Sequence, residues 1–197
     1  MRWNAHGFTV LEMIAVLAVI ALVASLGVPP VLDFGGDVRL RLAAQEVAGT
    51  LRLARSEAIR RGVNVAVKFQ PAADGRTTYR LYRDGDGDGV MNRDIDRGVD
   101  RPVTLPRPFE VLGGRMHFGF PPGRKVRDPG APRAWLPIQD PIRFNQSDLA
   151  SYGPLGTSTP GSLYVTDGRS RLLAVRVYGR TGKVKIIAYD FDDEVWR

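Results

Sequence analysis

Three short stretches of this chain carry residues whose types and spacing point to chemistry. In Asp84-Gly85-Asp86-Gly87-Asp88-Gly89-Val90-Met91-Asn92, carboxylates stand at alternate positions and a glycine follows the third. Oxygens spaced in this way can wrap a hard cation such as calcium. Asp84, Asp86 and Asp88 would be the first, third and fifth ligands and Asn92 the ninth, while the glycine permits the sharp turn. The closing bidentate acid is missing, because Ile95 stands at the twelfth place between Asp94 and Asp96, and no second helix pattern follows. The competing reading is a polar, glycine-rich hairpin turn. A second group is basic: Gly168-Arg169-Ser170-Arg171 and Gly179-Arg180-Thr181-Gly182-Lys183. Arg169, Arg171, Arg180 and Lys183 on exposed turns can contact phosphates, giving sequence-independent and salt-sensitive binding to DNA, unless these are ordinary hairpin turns. The third is a lone acid, Glu12, at the head of an uncharged run of twenty residues, Met13 to Leu32.

Composition narrows what these groups can serve. The chain has 197 residues, 44% of them hydrophobic and 25% charged, as in a globular protein with its own core. Cysteine is absent and there are two histidines, which removes disulfides, thiolate metal sites, cysteine nucleophiles and histidine-based metal centres. No nucleophile elbow, phosphate loop or metal-hydrolase spacing appears, and with the N-terminal run this pattern points away from an enzyme. The net charge of +7 suits either an anionic partner or a solvated arginine-rich surface.

The elements that position these groups follow from periodicity. A helix over the run from Met13 to Leu32 would be about 30 Å long, enough for a bilayer core. The leader before it carries one arginine, Arg2, which favours a cytoplasmic start and an outward-facing remainder. A secretory signal peptide has a shorter apolar stretch, and neither it nor a plain anchor accounts for Glu12. A carboxylate in that setting costs about 2.5–3.5 kcal/mol near mid-bilayer, less toward the interface, so it calls for a partner. From Asp37 to Arg61, Leu40, Ala43, Ala44, Val47, Leu51, Ala54 and Ala58 recur at helical spacing and make one apolar stripe. Pro29 and Pro30 predict a break between the two helical segments, Gly35-Gly36 a hinge, and Gly62 the C-terminal cap. Period-two alternation then predicts strands at 63–69, 79–83, 109–112, 116–120, 142–144, 162–166, 172–178 and 184–189. Residues 121–141 hold six of the fourteen prolines and read as a long surface loop, an inter-subunit contact in prospect.

Gly7-Phe8-Thr9-Val10-Leu11-Glu12-Met13 resembles the class III signal of type IV pilins and pseudopilins. The helix-to-strand junction at 51–62 and the strands at 142–144, 161–165 and 175–180 resemble those of GspH/FimT-type minor pseudopilins. The resemblance is weak between residues 70 and 141. It implies cleavage by a prepilin peptidase between Gly7 and Phe8, N-methylation of Phe8, and Thr9, Glu12 and Pro29 as residues of the assembling helix. On physical grounds Glu12 can neutralise the new α-ammonium of Phe8 on a neighbouring subunit, removing two charges from lipid at once.

The fold expected is α+β: a long N-terminal helix packed on an antiparallel, β-sandwich-like globular domain. Residues 1–7 would be the leader, 8–32 the membrane-spanning and fibre-core helix, 33–62 an amphipathic helix and 63–197 the periplasmic domain. The function implied is a minor pseudopilin of type II secretion, in the bacterial inner membrane with its C-terminal domain periplasmic, with other pseudopilins as partners. The alternative is a FimT-like pilus minor pilin that takes up DNA. In such competence pilins a G-R-x-R motif binds DNA. Gly168–Arg171 spells it, whereas the place equivalent by strand order, Gly179–Gly182, has Gly182 where the second arginine would stand. A periplasmic calcium-dependent binding module with an anchor helix is a third reading.

Overall fold

Helix α1 (Val10–Arg61) is assembled from two kinds of sequence, one apolar throughout and one apolar on a single stripe. In the computed structural model the described residues are 9–71, 76–109, 116–145 and 147–197, with the side chains of 24–34 and 71 outside that description. The expected break at Pro29 and hinge at Gly35-Gly36 are absent from the backbone, which is helical from Val10 to Arg61. A proline removes one donor and crowds the preceding turn, and glycine costs about 1 kcal/mol against alanine. Neither forbids helical dihedral angles when strong helix formers lie on both sides.

The chain forms two compact units, Met1–Val38 and Arg39–Arg197. In the first, Thr9 Oγ1 accepts the Glu12 N–H at 3.2 Å and so caps the start of α1. Val10, Leu11, Met13, Ile14 and the apolar residues that follow to Val23 are exposed on every side of the helix. Among the described residues no helix is long and apolar enough to cross a membrane. The uncharged run from Met13 to Leu32 continues into residues 24–34, whose side chains lie outside the description.

In the second unit the alanine-rich stripe behaves as its spacing predicts: Leu40, Ala43, Ala44, Val47, Leu51, Ala54 and Ala58 are all at most 1% exposed. The helix stops at Gly62, whose φ of 67° is left-handed and whose N–H reaches Ala58 O at 3.0 Å. The stripe packs into a core shared with two antiparallel sheets. The first sheet contains β1 (Val65–Pro71), β2 (Thr77–Arg83), β3 (Arg101–Pro102), β4 (Arg107–Pro108) and β7 (Leu149–Tyr152), with β1 between β2 and β7. The second contains β5 (His117–Phe118), β6 (Ile142–Phe144), β8 (Gly161–Thr166), β9 (Leu172–Tyr178), β10 (Lys183–Asp190) and β11 (Val195–Trp196). Within it β8, β9 and β10 are consecutive neighbours. Phe69 joins the sheets, its ring 5.8 Å from Phe118 and 6.4 Å from Phe144. The α+β arrangement with antiparallel sheets is as expected.

Several local expectations are corrected. The strand expected at 116–120 is shorter, and Phe109 follows β4 rather than beginning a strand; residues 110–112 lie outside the described residues. Alternation is too brief at β3, β4, β7 and β11 to have marked them, and a short helix, α2 (Asn92–Arg97), follows the aspartate loop where no helix pattern was seen. The proline-rich segment does more than cross the surface. Val126 is 0% and Leu136 is 6% exposed, and both pack with Tyr164, Leu172, Ala174 and Ile187 on the outer face of the second sheet. Proline restricts the backbone of this cover without preventing two apolar residues from pairing, since Leu136 N–H reaches Val126 O at 2.8 Å. The aspartate loop does the same for the first sheet, where Val90 joins Ala66, Tyr82 and Leu149.

Truncating the stripe tests this core. Leu51→Ala is expected to lower the unfolding free energy by about 2–5 kcal/mol in denaturant titrations. Leu53→Ala, at a residue 48% exposed, is expected to stay within about 0.5 kcal/mol of the unmutated chain.

Candidate functional site

Residues with chemical potential fall in three places: the head of α1, the loop after β2, and the two turns that flank β9. At the head, Thr9-Val10-Leu11-Glu12 has the spacing of a helix capping box, and the Thr9 half of it is formed. The cap satisfies one orphan amide, while the Glu12 side chain is exposed beside exposed Val10, Leu11 and Met13. Gly7 and Phe8 lie outside the described residues, as does the side chain of Pro29.

In the aspartate loop, carboxylate oxygens of Asp84, Asp86 and Asp88 all lie within 4.8 Å of one another. Asp84 organises the loop. Its Oδ1 accepts the amides of Asp86 at 3.2 Å and Gly87 at 2.7 Å; its Oδ2 accepts Gly89 N–H at 2.9 Å and Asn64 Nδ2 at 2.8 Å. Burial opposes ionisation of Asp84, but these bonds outweigh it and hold the carboxyl below its ordinary pKa. Asp88 is pushed up by desolvation and by its neighbour Asp86. Arg93 Nη2 lies 2.7 Å from Asp88 Oδ2, and Lys68 Nζ lies 2.8 Å from Asn92 Oδ1. The three aspartates are therefore brought together, whereas Asn92 is held by a lysine. A cation at the aspartates would compete with Arg93 for Asp88 and with four N–H donors for Asp84. Asp100, outside the alternating aspartate motif, closes the loop: its carboxylate takes Gly85 N–H at 3.0 Å and Met91 N–H at 2.9 Å while 1% exposed. Only glycine fits at Gly85, where a Cβ would lie 2.1 Å from Val99 O.

The basic turns lie at opposite ends of β9. Gly168–Arg171 follows β8, and Asp167 Oδ1 accepts the amides of Arg169, Ser170 and Arg171 at 2.9–3.1 Å. Burial would raise the Asp167 pKa, but the amides hold it low. Arg171 reaches back to Asp167 at 3.4 Å, while the Arg169 side chain is exposed. The other turn, Gly179–Gly182, leads into Lys183 and closes with Gly182 N–H on Tyr178 O at 2.8 Å. Seven residues of β9 separate the two turns by roughly 23 Å at ~3.3 Å per residue. Arg169 and Arg171 thus do not share a patch with Arg180 and Lys183. The departure at Gly182 has a physical cause. A Cβ there would lie 2.4 Å from Gly156 O and 2.6 Å from Arg55 Nε, because Arg55 of α1 donates to Gly156 O at 3.1 Å.

Against known families, the model described as "Type II transport protein GspH" matches residues 43–180. The chain belongs to the GspH family. The match begins within the buried stripe of α1, and its span takes in residues 70–141. It leaves out Gly7–Met13, so the N-terminal signal is an observation independent of it. Among solved structures, the GspH-family chain is similar to the minor pseudopilin EpsH from the Type 2 Secretion System of Vibrio cholerae, with 15% identity and a TM-score of 0.45. That similarity covers 76% of this chain and 97% of the other. No curated protein matches it.

Asp84 and Asp167 make acid stability a direct test of the two turns. Each has a folded pKa below its unfolded value, so the stabilisation is present above the unfolded value of about 3.9 and is lost as pH falls through the folded one. In chemical denaturation below about pH 4, the unmutated protein is expected to lose stability more steeply than Asp84→Asn or Asp167→Asn.

Proposed function

We propose that this chain is a minor pseudopilin of a type II secretion system, a structural subunit of the periplasmic pseudopilus and not a catalyst. The family match over residues 43–180 carries this reading. The pilin-type signal at Gly7–Met13 supports it from outside the matched span.

In this reading a prepilin peptidase cuts between Gly7 and Phe8, and the new N-terminus of Phe8 is methylated. The first segment of α1 crosses the inner membrane before assembly and then joins the core of the fibre beside other pseudopilins. Thr9 caps the helix and so holds Glu12 in its first turn, next to the new terminus. The Glu12 carboxylate of one subunit meets the Phe8 ammonium of the next. Separately, each charge in lipid costs several kcal/mol; together they form a pair that sets the axial step of the fibre. The exposed apolar surface from Val10 to Val23 suits lipid first and neighbouring helices afterwards. A pilus subunit that captures DNA is less well supported, because the family matched is a secretion family and its basic turns are far apart.

Mass spectrometry of the mature protein tests the processing step: the expected chain begins at methylated Phe8. A natural N-terminus downstream of residue 24 would remove the proposal. Glu12→Gln keeps the shape and removes the charge. It is expected to reduce recovery of the chain in sheared pseudopili by about tenfold or more, with membrane insertion unchanged, in line with loss of one desolvated ion pair.

A further inference from the structure

The outer face of the second sheet changes character along its strands. Where Tyr164, Ala174 and Ile187 point outward, the proline-rich cover seals the face. Two residues further along, the register aligns Arg143 of β6 with Ser162 of β8, Ser162 with Arg176 of β9, and Arg176 with Lys185 of β10. Leu163, Val175 and Val184 beside them in sequence point into the core, so these four project outward. Three cations therefore stand in one row across four strands, over about 14 Å at ~4.8 Å per strand. Lys183, opposite Tyr178, adds a fourth on the next outward row.

A groove of about 480 Å³ runs along the β6, β8 and β9 part of this row, past Arg143, Ser162 and Arg176, with Asp128, Gly130 and Tyr178 among its walls; Lys183 and Lys185 of β10 are outside its lining. Arg176 is set in place: its guanidinium donates to Pro129 O and lies 5.3 Å from the Tyr178 ring centroid. Among the described residues, the side chains of Arg143, Lys183 and Lys185 make no hydrogen bond or ion pair. The one carboxylate lining the groove, Asp128, accepts the Gly130 N–H. Like charges in neighbouring positions of a sheet repel, and anionic groups laid along the row would relieve that repulsion.

We propose that this row is a docking site for an extended acidic segment of a partner protein, whose carboxylates pair with Arg143, Arg176, Lys185 and Lys183. A nucleic-acid backbone, charged at every step, would need a basic track that continues. Here the row stops at β6 on one side and β10 on the other, the sealed half of the face bounds it along the strands, and Arg169 and Arg171 lie beyond the far end of β9. The choice of a protein partner rests on the assembly reading above, whereas the cationic row itself does not.

The test uses the full chain and fluorescein-labelled octaglutamate, followed by fluorescence anisotropy. Binding is expected, and is expected to weaken as salt rises from ~0.05 M to ~0.2 M. Arg143→Glu combined with Lys185→Glu should weaken it by about tenfold or more and confer binding of an oligolysine probe. Arg169→Glu, at the other end of the sheet, should change it by no more than about twofold. Circular dichroism of each variant checks that both sites are compared in folded chains, Lys185 and Arg169 being exposed and Arg143 half-buried. The proposal is overturned if octaglutamate does not bind, if the double variant binds it as the unmutated chain does, or if a short single-stranded DNA oligonucleotide binds more tightly at the same salt. These variants leave Gly7–Glu12 unaltered, so loss of docking and loss of N-terminal processing are read separately.

Discussion

How closely α1 can approach two sheets at once is the constraint on which the second unit depends. Five alanines, Ala43, Ala44, Ala48, Ala54 and Ala58, line the buried face of the helix and are fully covered. Alanine brings no side-chain entropy cost and little bulk, so volume at the centre comes from the sheets instead, through Phe69, Phe144 and Tyr152. The same helix carries apolar residues on every side from Val10 to Val23. The distribution of side chains around the helix axis is what distinguishes this segment from the stripe.

A sheet packed on one face leaves the other exposed, and here each outer face has its own cover. The aspartate loop brings Val90 over Ala66 and Tyr82, while the proline-rich segment brings Val126 and Leu136 over Tyr164 and Ile187. Both covers are poor in regular structure and are held by particular polar contacts. Asp84 and Asp100 gather loop amides in the first, and in the second Trp196 Nε1 donates to Arg127 O at 2.7 Å. The aspartates that look like cation ligands in sequence are therefore also the residues that fold the loop over its sheet. The part of the second sheet left open is cationic, which separates a sealed surface from one available to partners.

Much of this was legible because the controlling interactions are local. The stripe from Leu40 to Ala58, the stop at Gly62, and the strands at 142–144 and 172–178 follow from periodicity and glycine chemistry, and the structure places them where expected. The short strands β3, β4, β7 and β11 were not legible, because two to four residues cannot establish an alternation and their pairing partners are distant in sequence. The proline-rich segment has no named helix or strand, as expected of a loop, but its role as a cover was not legible, because proline content reports on backbone freedom and says nothing about whether two flanking apolar residues reach a sheet. The scatter of the basic residues was hidden for a similar reason. Arg169 and Arg180 are eleven positions apart, and a single intervening strand sends them to opposite ends. The capping pattern at Thr9 was available in the sequence and was obscured by the processing motif that overlaps it.

The junction of Arg55, Gly156 and Gly182 limits how this chain can diverge. Two glycines with positive φ and one guanidinium occupy a single small volume where the helix, the β7–β8 connection and the β9–β10 turn meet. Any side chain at either glycine is strained by its backbone conformation and meets Arg55 as well. Placing an arginine at Gly182 would consequently require the helix residue to be replaced and the neighbouring connection to shift in the same step. While Arg55 stays in place this corner is held to a bare turn, and a side chain added for binding has to be carried elsewhere on the surface.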